Sequence, residues 1–273
     1  MHTDRNAPIG VFDSGIGGLT VAREIMRNLP TEKIVYFGDT ARVPYGSKSR
    51  QTVLRYSRQI IRFLMEQNVK AIVIACNTAS AFALHTVREE FDIPIIGVIK
   101  AGAQVAAAAT RNYRIGVIGT EGTIRSRIHE SVLRSLDPRI TVFGKPCPLF
   151  VPLVEEGWLH DAVTVQVATR YLDELRDLEI DTLILGCTHY PLLRSTIHQV
   201  MGERVRLVNP AYETALELKA LLQQEDMSST LAEHEDFPYR FYVSDLAERF
   251  QSFASSILPI DVTSAVKVDI ESY

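Results

Sequence analysis

The feature that most constrains this 273-residue chain is a regular alternation of short apolar segments with longer amphipathic ones. Three longer segments, 48–67, 121–136 and 161–178, repeat their apolar residues every three or four positions, which predicts helices. Between such segments lie short β-branched runs, typical of strands buried on both faces of a parallel sheet. These runs are 9–13, 33–39, 70–76, 93–98, 114–120 and 181–187. The alternation predicts an α/β fold built on an open, doubly wound sheet.

The chain length and one internal similarity indicate two such sheets. Domains commonly contain about 100–200 residues, so 273 residues are enough for two. The segments KAIVIACNTAS at 70–80 and DTLILGCTHYP at 181–191 both place a small residue, a cysteine and a polar triplet after an apolar strand. We interpret them as a weak internal repeat, and we expect two similar lobes that face each other across an active-site cleft.

Composition excludes several classes of protein. The net charge of -4, from 29 basic and 33 acidic residues, provides no global field to attract nucleic acid or an anionic membrane. The longest apolar stretch, 93–109, is interrupted by Lys100 and Gln104, and the first ten residues lack the apolar core of a signal peptide. We therefore expect a cytoplasmic protein whose three cysteines are free thiols. The acidic, non-periodic stretch 224–238 predicts an exposed loop.

Polar or small residues follow the predicted strands at their carboxyl ends. In open parallel sheets, ligands bind at this edge, where short loops lead into helices. The residues concerned are Asp13-Ser14-Gly15, Gly38-Asp39-Thr40, Cys76-Asn77-Thr78, Gly119-Thr120-Glu121 and Cys187-Thr188-His189. We expect one site spread over several strand ends.

Two of these strand ends carry thiols with a potential for acid–base chemistry. Cys76 and Cys187 each precede a predicted helix start, where unpaired backbone amides favour a thiolate. For either cysteine alone a buried structural role is the usual alternative, but the arrangement occurs twice. His189 is a candidate acid–base partner for Cys187, and Asp13 for Cys76, although Asp13 also suits a helix cap. Cys147, among prolines in a predicted loop, is interpreted as structural.

Other ligands are disfavoured. Thr20 stands where the dinucleotide fingerprint that begins at Gly15 requires a glycine, and the chain has no phosphate loop. The amides of 15–18 are instead expected to receive a small anion such as a carboxylate. A metal is not expected, because Cys187 and His189 have no evident third ligand nearby in the sequence.

Five blocks, taken together, resemble the glutamate racemases of the aspartate/glutamate racemase family. They are GVFDSGIGGLTV at 10–21, YFGDTARVPYGSKS at 36–49, ACNTASA at 75–81, GVIGTEGTIRS at 116–126 and LGCTHYPLL at 185–193. The resemblance implies a first lobe of 1–99 plus 211–273 and a second of 100–210. It also implies a homodimer that interconverts L- and D-glutamate without pyridoxal phosphate or any other cofactor, and so supplies D-glutamate for peptidoglycan.

The resemblance also assigns residue roles. Cys76, assisted by Asp13, would take the α-proton of D-glutamate, and Cys187, assisted by His189, that of L-glutamate. Glu155 would lie near the site, although the adjacent Glu156 is an open alternative. The implied substrate contacts are Ser14, Pro44, Tyr45, Gly46, Asn77, Thr78, Thr120, Thr123 and Thr188.

Three alternatives stay open from the sequence. One is a racemase of aspartate or a related amino acid. Another is a hydrolase or amidotransferase with Cys187 as nucleophile and His189 as base, which leaves Cys76 unexplained. The third is a two-lobed module that binds an amino acid without chemistry, for which reactive thiols are unnecessary.

Overall fold

The computed structural model describes residues 4–232 and 239–273, which form strands, α-helices and three short 3₁₀ segments. The strands are β1 (Ile9–Asp13), β2 (Ile34–Gly38), β3 (Ala71–Ile74), β4 (Ile95–Gly97), β5 (Arg114–Gly119), β6 (Thr141–Pro146), β7 (Thr182–Gly186), β8 (Arg206–Val208), β9 (Arg240–Val243) and β10 (Val266–Lys267). The α-helices are α1 (Leu19–Asn28), α2 (Arg50–Glu66), α3 (Asn77–Glu90), α4 (Val98–Ala109), α5 (Glu121–Arg125), α6 (Ile128–Leu136), α7 (Phe150–Glu155), α8 (Ala162–Asp177), α9 (Arg194–Met201), α10 (Pro210–Gln224) and α11 (Ala247–Ile257).

The strands form two parallel sheets with the same central topology. The first sheet has the order β10-β9-β2-β1-β3-β4, and the second has the order β6-β5-β7-β8. The segment β2-β1-β3-β4 therefore corresponds strand for strand to β6-β5-β7-β8. As a result, β3 and β7, which precede Cys76 and Cys187, occupy equivalent places, so the two sheets repeat one plan.

Helices cover both faces of each sheet, which confirms the predicted α/β class with two doubly wound lobes. One core packs α1, α10 and α11 on the first sheet, and a second packs α2 and α3 on its other face. In the second sheet α7, α8 and α9 pack on one face, while α4 and α6 pack on the other. Because both faces are covered, the central strands β1, β2, β3 and β7 are fully buried.

All six predicted strands form, but the sequence pattern missed β6, β8, β9 and β10. The edge strand β6 has no fully buried residue, and β8 and β10 contain three and two residues, so none shows a long apolar run. The predicted helix 121–136 is divided into α5 and α6, because Arg127 between them has a φ of 55°. The apolar periodicity does not register such a break, since it continues on both sides.

The division into 1–99 plus 211–273 and 100–210 stays a prediction. Near the proposed boundaries, α4 and α10 pack on each other, and α10 also packs on α1. The predicted loop 224–238 falls partly outside the described residues, at 233–238. In its described part Met227 is buried and joins the core of the first sheet, so exposure there is incomplete. Within residues 4–232 and 239–273, no helix has the length and apolarity needed to cross a membrane.

Candidate active site

The carboxyl ends of strands from both sheets meet at one small pocket. Both sheets contribute, because their parallel strands direct these ends toward each other. The lining residues are Ser14, Val43, Pro44, Tyr45, Gly46, Cys76, Asn77, Thr78, Thr120, Val151, Cys187, Thr188 and His189. Every residue that the sequence predicted as a substrate contact lies in this wall except Thr123. Asp13 and Glu155 lie just behind it.

Cys76 is the N-cap of α3, and its Sγ accepts a hydrogen bond from the amide of Ala79 at 3.4 Å. The thiol donates to Ser14 Oγ at a distance of 3.7 Å. Burial and the nearby Asp13 carboxylate nevertheless raise the pKa of Cys76 to about 12. The expected helix-start geometry is present, but the expected ease of thiolate formation is wrong here, because desolvation outweighs one helix amide.

Asp13 ends β1 and is completely buried. Its Oδ2 accepts from the amides of Gly15 and Gly18 at 3.2 and 3.0 Å, and its Oδ1 accepts from Thr188 Oγ1 at 3.4 Å. Burial raises the pKa of Asp13, although the neighbouring His189 opposes this shift. The glycine-rich turn was expected to receive a carboxylate from the substrate. The amides of Gly15 and Gly18 instead hold the carboxylate of Asp13.

Cys187, His189 and Glu155 form a hydrogen-bonded series beside the pocket. The Nδ1 atom of His189 lies 3.8 Å from the Sγ of Cys187, and Nε2 lies 3.2 Å from the Oε1 of Glu155. Burial lowers the pKa of His189, but the contacts with Cys187 and Glu155 dominate together and raise it to about 10. A protonated imidazole next to a sulfur stabilises negative charge on that sulfur.

The structure separates the two candidate glutamates. Glu155, the last residue of α7, contacts His189. Burial raises the pKa of Glu155, but His189 and the nearby Arg249 together outweigh burial and lower it. Glu156 is exposed and contacts Arg249 of α11 at 3.4 Å. The side chain of Arg249 also donates to the backbone oxygen of Glu155 at 3.3 Å. The geometry therefore favours Glu155 as the residue next to the site.

Three threonine hydroxyls bridge the two sheets at the opposite wall. Thr78 Oγ1 lies 2.9 Å from Thr120 Oγ1 and 3.1 Å from Thr123 Oγ1, and the last two lie 3.0 Å apart. Thr123 thus supports the wall from behind. Nearby, Asn77 Oδ1 is buried without a hydrogen-bond partner among the described residues. An acceptor left unpaired in a pocket wall is available to a ligand donor.

A buried ion pair positions the turn that contributes Val43–Gly46 to the pocket. Arg42 Nε donates to Asp39 Oδ1 and Oδ2 at 3.0 and 2.8 Å, and the hydroxyl of Tyr45 donates to Asp39. Ser244 Oγ also donates to Asp39, at 2.8 Å. Sequence reasoning singled out Asp39 as a strand-end acid but missed its role in holding this turn. The spacing of Asp39 and Arg42, three residues apart, was a signal for that pair.

Two apolar wall residues, Val43 in a turn and Val151 in α7, were also missed, because a single valine carries no chemical signal. Cys147 is buried in the core of the second sheet, away from the pocket wall, as its structural interpretation requires. Among the described residues, no three His, Cys, Asp or Glu side chains are placed to hold a metal ion.

Two repeated α/β sheets that share a pocket, with one cysteine from each, define the class of protein: the chain is an isomerase of the amino-acid racemase class, as its relatives also show. The Asp/Glu/hydantoin racemase family matches residues 9–217, and the chain belongs to this family.

Its relatives are similar over almost their whole length. A glutamate racemase from Geobacter metallireducens is 46% identical over 264 residues, which cover 97% of this chain and 97% of the relative. The crystal structure of a glutamate racemase isoform from Bacillus anthracis has a TM-score of 0.92 at 42% identity, over 97% of this chain and 98% of that one. A glutamate racemase from Francisella tularensis, solved with D-glutamate, has a TM-score of 0.91 at 41% identity, covering 98% of this chain and all of that one (100%).

Proposed function

We propose that this protein interconverts L- and D-glutamate without a cofactor, with Cys76 and Cys187 as the two bases. The observation that carries the proposal is that both thiols line one pocket from equivalent strands of the two sheets. Relatives named glutamate racemase, including one solved with D-glutamate, support glutamate as the substrate.

Inversion of a carbon requires one group to remove a proton and another to deliver a proton to the opposite face. With D-glutamate, the Cys76 thiolate takes the α-proton and the Cys187 thiol donates its own proton to the carbanion. The products are L-glutamate, a Cys76 thiol and a Cys187 thiolate. The reverse reaction begins with the Cys187 thiolate, so one proton is removed and one is added in each turnover.

The two thiols depend on different neighbours. Cys187 acts with His189, whose protonated ring stabilises the thiolate and is in turn held by Glu155. Among the described residues, no comparable cation contacts Cys76, and burial raises its pKa to about 12. The α-ammonium of the substrate lies next to the proton that is removed, and its positive charge favours the Cys76 thiolate. The unpaired Oδ1 of Asn77 is suited to accept a hydrogen bond from that ammonium.

The carbanion needs electrostatic stabilisation, because the α-proton of an amino acid is only weakly acidic. Fixed donors in a site with little water supply this stabilisation without having to reorganise. The hydroxyls of Thr78 and Thr120, linked through Thr123, are the donors in this wall suited to a carboxylate. Ser14, Thr188 and the turn at 44–46 complete the proposed substrate contacts.

The alternatives account for less of this geometry. A Cys187–His189 nucleophile would explain the 3.8 Å contact between sulfur and imidazole but gives no role to Cys76 in the same wall. A binding module would not require two thiols. Racemisation of aspartate uses the same chemistry, so the choice between the two substrates is left to the experiment.

We further propose that the protein is a cytoplasmic homodimer and that it supplies D-glutamate for peptidoglycan. The full-length similarity to glutamate racemases supports the supply of D-glutamate. We also propose that the lobes comprise 1–99 plus 211–273 and 100–210, because the strands of the second sheet all fall between 114 and 208.

The test is incubation with D-glutamate in deuterated water, with a chelator and no added cofactor. The account predicts loss of optical activity and deuterium at the α-carbon of the L-glutamate formed, followed by circular dichroism and proton NMR. Binding without exchange would identify a binding module and reject the proposal. Faster exchange with D-aspartate would assign the enzyme to aspartate instead, and release of ammonia from glutamine would favour an amidotransferase.

A further inference from the structure

A second pocket, with a volume of about 200 Å³, lies behind the wall of the proposed active site. It is formed between the end of the second sheet and the helices α5 and α6. Val117, Ile124 and Val142 give it an apolar wall, and His129 is its buried polar residue. The chemistry proposed above uses Thr123 among the residues that line this pocket, but it gives no role to His129.

His129 is 4% exposed, and neither of its ring nitrogens has a hydrogen-bond partner among the described residues. Burial lowers its pKa to about 4, so the ring is neutral at physiological pH. A neutral imidazole presents one N–H donor and one nitrogen acceptor. Buried polar groups are nearly always paired, so two unpaired nitrogens beside a pocket indicate a missing partner.

Arg127 and Glu130, the charged residues that line the pocket, form an ion pair. Arg127 Nε and Nη2 donate to Glu130 at 2.8 Å each, and Arg134 lies 3.5 Å from the same carboxylate. Glu130 therefore offers no uncompensated negative charge to a cation, and Arg127 is already engaged with a carboxylate. The pocket thus favours a neutral occupant with an apolar body.

We propose that this pocket is a second small-molecule site, which takes a neutral, ring-sized ligand bearing one hydroxyl that pairs with the His129 imidazole. The two ring nitrogens point in different directions, so one hydroxyl pairs with one of them. It donates to the unprotonated nitrogen or accepts from the N–H. The apolar body of the ligand packs against Val117, Ile124 and Val142. Phenol is the simplest probe of this class.

The pocket shares α5 with the active site. Thr123 lies in its wall, and its hydroxyl is bonded to Thr78 and Thr120 of the active-site wall. A ligand that displaces α5 therefore changes the position of these hydroxyls. This coupling rests on the proposed function, whereas binding to the pocket does not.

The experiment is an NMR titration of the whole protein with phenol and, separately, with toluene, which has the ring but no hydroxyl. The His129 ring signals are assigned by their absence in His129→Phe, a variant that keeps a ring of similar shape. We expect phenol to shift these signals and to bind about tenfold more tightly than toluene, because only phenol forms a hydrogen bond with a ring nitrogen. In His129→Phe this preference for phenol is expected to disappear.

Several outcomes would overturn the proposal. The proposal fails if the His129 signals do not shift with phenol, or if phenol and toluene bind equally well. It also fails if His129→Phe keeps the preference for phenol over toluene, or if the ring nitrogens are bonded to water that phenol does not displace. If phenol binds, the Michaelis constant for glutamate is expected to change in the wild type and not in His129→Phe. Binding without that change rejects the coupling alone, and binding to a protein with no racemase activity rejects only the function proposed above.

Discussion

At the scale of single residues, the two candidate bases differ in how their charge is stabilised. His189 and Glu155 form a buried cation–carboxylate pair next to Cys187. In the described part of the chain, Cys76 is hydrogen-bonded to a helix amide and the Ser14 hydroxyl, and Asp13 adds negative charge nearby. The site is thus electrostatically asymmetric, although the sheets around it repeat one plan.

Replacing Glu155 with Gln is expected to weaken the Cys187 side of the reaction. The variant loses a contact that raises the pKa of His189, so this pKa falls from about 10. We expect a roughly tenfold to hundredfold lower kcat, the range typical of losing the partner that orients a functional histidine. Glu156→Gln, which alters the exposed neighbour, is the matched control and should keep near wild-type rates. Equal losses in both variants would contradict the assignment of Glu155.

The same pair makes the free energy of unfolding depend on pH. The pKa of His189 is raised from about 6.5 in the unfolded chain to about 10 in the folded protein. Its stabilising contribution is therefore complete below pH 6.5 and is lost as the pH rises toward 10. In urea unfolding experiments, the decline over this window should be smaller in Glu155→Gln than in Glu156→Gln.

The raised pKa of Cys76 predicts how this thiol reacts. With a pKa of about 12, only about one Cys76 in ten thousand is ionised at pH 8. The rate of alkylation by iodoacetamide, measured at Cys76 by mass spectrometry, should keep rising with pH up to pH 10. A plateau near pH 8 or 9 would show an ordinary thiol and refute the stated effect of burial.

At the scale of elements, the site depends on how closely the β1–α1 turn approaches the segment after β7. A Cβ atom on Gly17 would lie 2.4 Å from Nδ1 of His189 and 2.5 Å from Oγ1 of Thr188. Thr20 Oγ1 also donates to the backbone oxygen of Thr188 at 3.1 Å. Glycine at position 17 therefore permits the two sheets to meet at this pocket.

Gly17→Ala is expected to separate these elements. The added methyl displaces His189 and Thr188, at a cost of about 1–3 kcal/mol in the free energy of unfolding, and it lowers kcat. Gly15→Ala is the control in the same turn, because its Cβ would come no closer than 3.4 Å to Val43. Thermal unfolding and racemisation assays of both variants test this. Wild-type activity in Gly17→Ala would show that the close approach is not needed.

The sequence was sufficient to predict the central strands whose ends line the pocket, but not α7, which carries Glu155. Buried parallel strands have apolar runs that are visible without a structure, and β1, β3, β5 and β7 all have them. Edge strands such as β6 have no such run, and the break at Arg127 depends on one backbone angle. Long-range side-chain partners were also inaccessible, since the bond from Asp13 to Thr188 joins residues 175 positions apart.

At the scale of the whole molecule, a buried ion pair and the proposed active site lie at opposite ends of the first sheet. At the amino end, the buried Lys70 lies 2.5 Å from Glu32 and donates to the backbone oxygens of Arg5 and Met227 at 2.5 and 2.8 Å. Lys70 thus joins the beginning of the described chain to the segment after α10. The proposed active site lies at the carboxyl end of the same strands.

Lys70→Met is therefore expected to reduce stability and leave catalysis unchanged. Removing one partner of a buried ion pair costs about 3–5 kcal/mol, because the other charge stays buried. The exposed Lys219→Met should change the unfolding free energy by less than about 0.5 kcal/mol. Thermal unfolding measures the loss of stability, and the Michaelis constant for glutamate at low temperature shows whether catalysis is unchanged. A large change in that constant would mean that the two ends are coupled.

The resemblance to racemases also predicted which strand ends carry the chemistry, which composition and periodicity alone could not do. The sequence indicated two cysteines after similar strands, and the structure shows that both line one pocket. The raised pKa of Cys76 was not predictable, because it depends on burial within the folded protein rather than on neighbours in the sequence.

The most direct measurement of the two-base account is α-proton exchange in deuterated water by single-cysteine variants, tested with each enantiomer of glutamate. Cys76→Ser should exchange the α-proton of L-glutamate only, and Cys187→Ser that of D-glutamate only, with no inversion in either. Cys147→Ser, which removes a buried thiol outside the pocket wall, should racemise like the wild type. Inversion by either of the first two variants, or exchange of both enantiomers by one remaining thiol, would contradict the account.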